Sequence, residues 1–282
     1  MAIKLGGFSQ LRHPEDQTKD FEVLDFLELA RELRLDAVDF HLAKGFASTD
    51  KGYLSRVKAK CVRYGLPIGY VTSGLFIGGP EEEAAAKVAQ AKADVDVAAF
   101  LGAPMTHLYA RGGEAAASTP GYEQGWAQIV RRCREVADYA AGKGVIVGVQ
   151  NHDGGSWVAV PKTINRILKD VDRSNFVLIL DTGQWTDGIM TKPRGVPKNA
   201  NPNINEEYIA QTVHHARNVR AKIFNLDSGS DPYLDYGRIA GILRDAGYNG
   251  TVSLVMNPDE SRLTDVELMR RSAALVRKCF NR

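Results

Sequence analysis

Three kinds of feature are scarce in this chain of 282 residues. There are only three cysteines, Cys61, Cys133 and Cys279, far apart and with no CxxC spacing. That argues against a disulfide framework or a zinc cluster and points to a reducing compartment, so a cytoplasmic location is expected. No apolar run approaches the length of a membrane span, and MAIKLGGFSQ lacks the basic-then-apolar order of a signal peptide. A membrane is therefore not an expected partner. Neither charge sign is in excess: 36 Lys and Arg stand against 34 Asp and Glu, a net charge of +2. A nucleic-acid surface finds no support in that balance.

What the chain does have is a repeated unit of amphipathic helix, glycine, short apolar strand and polar loop. Helical periodicity is expected over 21–34, near 52–63, from Glu81 to Leu101, near 122–142, and over 161–171, 205–217, 235–246 and 264–280. Gly65, Gly102, Gly144 and Gly247 directly follow four of these and supply the left-handed residue that turns the chain back into a sheet. Thr264 and Glu267 have capping-box spacing at the last helix. With KLGGFS as first strand, the count is eight strands and eight helices. Alternation of this kind implies a parallel sheet, and eight units in this length favour one closed (β/α)8 TIM barrel over residues 1–282.

A barrel keeps its chemistry where strands end. Taking the polar residue at each C-terminal end as inward gives a set: Asp39 and His41; His107 and Tyr109, then Arg111; Gln150, then His152; Asp181, then Gln184 and Trp185; Arg220 and Lys222, then Asn225; Val255 and Asn257. A lone His or Lys in such a place is as often a solvated rim residue. Asp181 stands apart, because it ends an apolar run and enters a Thr-Gly turn. Phe76, Trp126 and Trp157 read as packing, with Phe76 placed to line the mouth. The long stretch 186–203 follows the Asp181 strand and is expected to act as a mobile cover or an oligomer contact. Its Lys192, Arg194 and Lys198 could close over a ligand, and its apolar residues could hold a second copy in a homo-oligomer.

The segments VQNHDGG, LDTGQW, VRAK and LDYGRIAGILRDAGYNGTVSL carry a resemblance that spans nearly the whole chain. They resemble the xylose isomerase-like barrels, the sugar phosphate isomerase/epimerase group also called AP endonuclease family 2. The resemblance implies a TIM barrel acting on a small-molecule carbohydrate. Typical members hold a divalent metal with a Glu ending strand five, an Asp ending strand six, a His on strand seven and a Glu on strand eight. The two Glu residues usually also shuttle the proton.

Carried over position by position, only Asp181 remains as that ligand. Gln150 stands at the first Glu position, Arg220 at the His position, and Val255 at the second Glu position (or Asn257, with a slip of two). Gln184 replaces a His that many relatives have. Hard divalent cations want carboxylates. A site for Mn, Mg or Zn at Asp181 and Gln150 is therefore expected to be empty or weakly held. The implied reaction is isomerisation or epimerisation of a keto- or aldo-polyol by proton transfer next to a carbonyl. His152, Lys222, Asp181 and His107 are the catalytic candidates; Gln150, Gln184, Trp185, Arg220, Asn257, His41 and Tyr109 are the substrate-binding ones. Two other readings stand beside it: a carbohydrate-binding barrel without turnover, and a lyase acting on an oxidised sugar.

Overall fold

The computed structural model describes residues 3–110, 121–152, 156–184, 202–258 and 261–280, with the side chains of 202–204 excepted. The strands are β1 (Lys4–Phe8), β2 (Ala37–His41), β3 (Ile68–Thr72), β4 (Met105–Tyr109), β5 (Ile146–Gln150), β6 (Phe176–Asp181), β7 (Ala216–Ile223) and β8 (Thr251–Met256). The helices between and after them are α1 (Val23–Glu32), α2 (Lys51–Tyr64), α3 (Glu81–Leu101), α4 (Tyr122–Ala141), α5 (Pro161–Val171), α6 (Pro202–Thr212), α7 (Tyr236–Asp245) and α8 (Asp265–Cys279). All strand pairs are parallel, each with its neighbour in sequence, and β1 pairs with β8 to close the ring. This is a (β/α)8 TIM barrel. No helix among the described residues is long and apolar enough to cross a membrane.

Local sequence explains the element ends. Gly65, Gly102, Gly144 and Gly247 all have positive φ after their helices, where a Cβ would be strained. Two non-glycine residues, Arg34 and Asp172, also adopt positive φ after α1 and α5, which the glycine pattern does not reveal. Thr264 caps α8 by accepting a hydrogen bond from the Glu267 amide at 3.2 Å, while the Glu267 side chain pairs with Arg271.

The region of α6 corrects the sequence expectation. The helix starts at Pro202, so the last two residues of the expected 186–203 loop belong to it. Proline suits a first helical turn because its missing N–H has no partner to lose there. The helix ends at Thr212 rather than 217, and Ala216 and Arg217 already belong to β7. Residues 185–201 lie outside the described residues, so the basic and apolar side chains expected to cover a ligand do too.

Side chains alternate along each strand and build two cores. Outward residues such as Val147, Val149 and Leu180 pack with the helices in one large cluster. Inward residues Phe8, Tyr70, Met105, Val177, Ile179 and Val255 form a second, inside the barrel. Each fully buried aliphatic side chain contributes about 1.5–3 kcal/mol. Apolar residues such as Met105 and Ile146 begin their strands and polar ones end them, so the barrel is plugged below and polar above.

The ring is not uniform. β3 and β4 share a single register pair, Val71 with Thr106. The Thr72 and Thr106 hydroxyls each donate to a backbone carbonyl across that seam, at 3.0 and 3.2 Å. Beyond it the chain pairs again, with Phe76 bridging to Tyr109. Gly69 sits in β3 where an added Cβ would run into Asp39 Oδ1, a buried carboxylate oxygen held by the Tyr70 amide at 3.0 Å. Gly69→Ala should therefore lower stability by about 1–3 kcal/mol. Urea unfolding measures it, and an unchanged midpoint would show that Asp39 can step aside at no cost.

Candidate functional site at the barrel mouth

Parity on β5, β6 and β7 turns Gln150, Asp181, Arg220 and Lys222 into the barrel, and all four are buried. Asp181 is the hub. Its Oδ2 accepts from Gln150 Nε2 at 3.0 Å and from Arg220 Nε at 3.2 Å. Its Oδ1 accepts from the Gly183 amide at 3.0 Å and lies 3.9 Å from Lys222 Nζ. Asn151 clamps the Asp181 backbone, donating to its carbonyl at 2.9 Å and accepting from its amide at 2.7 Å. A Cβ on Gly183 would come within 2.9 Å of both Cδ and Cβ of Lys222, so glycine lets the lysine stem lie against that turn.

Arg220 is held on three sides. Besides Asp181, its Nη1 donates to the Tyr70 hydroxyl, and its Cζ lies 4.4 Å from the centre of the Phe8 ring. Burial works against its charge, but Tyr70, Tyr109 and Asp181 outweigh it and hold the guanidinium above its usual range. Phe8 and Tyr70 are members of the site that sequence reasoning missed. Their inward parity in KLGGF and IGYVT was the available signal, but apolar and aromatic residues in a strand read first as core.

The opposite wall is aromatic and imidazole. His107 meets Tyr109 edge-on at 4.6 Å, and His152 meets the same tyrosine edge-on at 4.9 Å. Phe76 stacks on Tyr109 at 4.6 Å, so its expected place at the mouth is observed. His41 packs against Phe8 at 5.9 Å. Burial first, then the Arg220 charge, keeps His107 well below the usual imidazole range. The same two causes, followed by Lys44, hold His41 at about 4. Both are neutral near pH 7. Neither ring nitrogen of His107 has a hydrogen-bond partner among the described residues; His41 Nδ1, Gln150 Oε1 and Asn257 Nδ2 are likewise buried without one. Gln184 is buried beside Asp181 in sequence, and Asn257 follows Val255 by two, its amide donating to Ile223 at 2.8 Å. Arg111 and Trp185 lie outside the described residues.

This set does not fit a divalent cation. Asp181 is already engaged on both oxygens, and among the described residues the charged groups paired with it are cations. Two unit charges at 4 Å interact by about 4 kcal/mol at an effective dielectric of 20, and a dication doubles the repulsion from each cation. Among the described residues no three His, Cys, Asp or Glu side chains converge on a point where a metal could sit. A relocated site built from His41, His107 or His152 with Asp181 is not assembled by these residues either.

Residues 27–279 match the family described as xylose isomerase-like TIM barrel. The chain belongs to that family. Among solved structures, L-ribulose 3-epimerase superposes on this xylose isomerase-like barrel with a TM-score of 0.74 at 17% identity, covering 100% of this chain and 95% of the other. D-psicose 3-epimerase from Clostridium cellulolyticum H10, solved with D-tagatose, gives 0.73 at 14% identity over 99% of both chains. The 3-keto-D-glucoside 4-epimerase of E. coli gives 0.72 at 17% identity over 98% of this chain and 100% of that one. Identities this low speak for the fold. No curated protein matches the chain.

Two variants test the charge arrangement. Asp181→Asn leaves the buried Arg220 and Lys222 without their shared carboxylate, so a loss of about 3–5 kcal/mol is expected in urea unfolding. A loss near zero would place their counter-charge elsewhere. Asp39, lower in the barrel, accepts from the Ser253 hydroxyl and the Tyr70 amide. Burial pushes its carboxyl up to about 7, against the pull of those hydrogen bonds and of Arg220. The unfolded chain ionises this group near 3.8. Between those values the unfolded state binds fewer protons, so this group makes stability fall as pH rises. Asp39→Asn cannot ionise, so its stability relative to the natural protein should improve from about pH 5 to about pH 8. Equal differences at both values would mean that Asp39 titrates alike in the two states.

Proposed function

We propose that this barrel is a sugar isomerase/epimerase-like enzyme that acts on a small keto- or aldo-polyol by moving a proton next to a carbonyl. The observation that carries the reading is the opposition of two walls in one mouth. Lys222 and Arg220 stand on one side over Asp181, and His107 and His152 on the other against Tyr109. Solved neighbours of this fold include sugar epimerases, which supports a polyol substrate.

In this reading the carbonyl oxygen lies toward Lys222, whose ammonium stabilises the enolate as the proton leaves. His152, partly exposed, removes the proton from the carbon next to the carbonyl and delivers it to the former carbonyl carbon, while the neighbouring hydroxyl proton passes to the former carbonyl oxygen and a new carbonyl forms beside it. His107, buried and neutral, hydrogen-bonds a substrate hydroxyl with nitrogens that otherwise lack partners. Asp181 is a positioning residue rather than a base, since both of its oxygens are already occupied. It fixes Arg220 and holds Lys222 nearby. Both imidazoles lie on one side, which suits transfer of the proton between adjacent carbons on a single face, as isomerisation needs.

Proton NMR in D2O tests this directly, with a panel of ketoses and aldoses and EDTA present. The C–H next to the carbonyl should wash out as deuterium enters, and His152→Gln should slow that exchange by about 10²–10⁴-fold. Binding of a sugar with no exchange at any position would instead identify a carbohydrate-binding barrel without turnover.

A further inference from the structure

We propose that Asp94, on α3 outside the barrel, is a positioning residue of the mouth: it fixes Ser73, and through Ser73 the turn that carries Gly74 against His41 and Phe76 against Tyr109. Only the effect on a sugar rests on the polyol reading above; the shape of the mouth does not. The stretch 73–77 takes the place of regular strand pairing. β3 and β4 share one register pair, and beyond it the Leu75 carbonyl accepts from the Tyr109 amide at 2.8 Å while the Ile77 amide donates to the Tyr109 carbonyl at 2.9 Å. The Phe76 ring stacks on Tyr109 at 4.6 Å, with 18° between the planes. Gly74 has a φ of +75°, and an added Cβ would come within 2.9 Å of His41 Nε2. One short stretch thus pairs with the backbone of Tyr109 and lies against the rings of two mouth residues.

Asp94 is what holds the start of that stretch. It is only 2% exposed, on the buried face of α3 with Ala91, Val95 and Ala98. Its Oδ2 accepts from the Ser73 amide at 2.9 Å and from the Ser73 hydroxyl at 2.7 Å, and its Oδ1 accepts from Gln90 Nε2 at 3.0 Å. Burial pushes its carboxyl up, and those hydrogen bonds pull it back. An apolar side chain would pack on this face without the cost of burying a carboxylate. What the carboxylate adds is a grip on a backbone amide one residue beyond the end of β3. Hydrogen bonds to an ionised acceptor are the stronger kind.

The space behind the stretch makes that grip matter. A cavity of about 610 Å³ lies there, lined by Leu42, Leu75, Phe76, Gln90, Asp94 and Val97 among others. Atoms that face a void have no packing partners on that side. The turn is therefore kept against the mouth by hydrogen bonds rather than by close packing from behind. Beyond Phe76, Arg132 of α4, also 2% exposed, acts in the same way: its Nη1 donates to the carbonyls of Ile77 at 3.1 Å and Gly79 at 3.0 Å. Two buried charged side chains from two helices thus hold one loop on either side of Phe76. Release at Ser73 would leave Phe76 room to move off Tyr109.

NMR of the ligand-free full chain tests this, with phenylalanine and tyrosine rings labelled and Phe76 assigned from the spectrum of Phe76→Leu. The natural protein should show cross-relaxation between the Phe76 and Tyr109 rings and Phe76 signals displaced by stacking. Asp94→Ala should lose both. Asp94→Asn, whose side-chain carbonyl can still accept from Ser73, should keep part of each. Val95→Ala, at a fully buried position of the same helix, removes packing but no side-chain hydrogen bond and should keep both. Phe76 signals unmoved in Asp94→Ala would overturn the inference, as would equal changes in Val95→Ala or no rescue by Asp94→Asn. If Asp94→Ala does not fold, Ser73→Ala carries the test, since it removes the hydroxyl donor alone: the Phe76 signals should move partway, and unmoved signals would overturn the inference. With any sugar whose proton the natural protein exchanges, Asp94→Ala should slow the exchange by up to about 10²-fold. An unchanged rate beside displaced rings would put the turn outside the working mouth and overturn the inference too. If no sugar exchanges, the proposed reaction fails by itself and the ring signals still decide the role of Asp94.

Discussion

A guanidinium buried inside a barrel is the constraint around which the rest of this mouth is arranged. Burial works against the charge of Arg220. Three neighbours offset that: the face of Phe8 from β1, the hydroxyl of Tyr70 from β3 and the carboxylate of Asp181 from β6. Each comes from a different strand, so this surrounding of the guanidinium forms only when the ring is closed and in register. The site and the fold are in this sense one structure. Asp181 in turn needs Gln150, Gly183 and the Asn151 clamp to face Arg220 at hydrogen-bond distance.

The same charge sets the chemistry of the histidines. His107 and His41 are kept neutral by burial and by the field of Arg220, so each presents one donor and one acceptor near pH 7. The charge at the mouth is carried by side chains, with the Asp181 carboxylate between the Arg220 guanidinium and the Lys222 ammonium.

The fold was legible because helix, glycine and strand recur with little interruption, and positive φ at Gly65, Gly102, Gly144 and Gly247 bears that reading out. It failed locally where no glycine marks the turn, as at Arg34 and Asp172, and where a proline opens α6 inside a stretch that looks like loop. At the mouth, alternation alone was enough to place Gln150, Asp181 and Lys222 on one side of the sheet. It could not show that Asp181 spends both oxygens on neighbours, since that depends on distances between strands that are far apart in sequence. Nor could it find Phe8 and Tyr70, whose part in the site follows from the charge they surround rather than from their own residue type.

The seam between β3 and β4 is the most thinly paired place in the ring among the described residues. Most neighbouring strands are laced by several register pairs, whereas this one relies on Val71 with Thr106, two threonine hydroxyls and the return bridge at Phe76. Local opening of a protein follows its sparsest hydrogen bonding. The strand on one side of that seam carries His107 and Tyr109 and is tied to β5 on its other edge by five register pairs, while Phe76 makes the return bridge. The charged wall on β6 and β7 is laced by a longer ladder and pinned by Asp181. The aromatic wall thus stands beside the sparsest pairing of the ring, and the charged wall within its denser part.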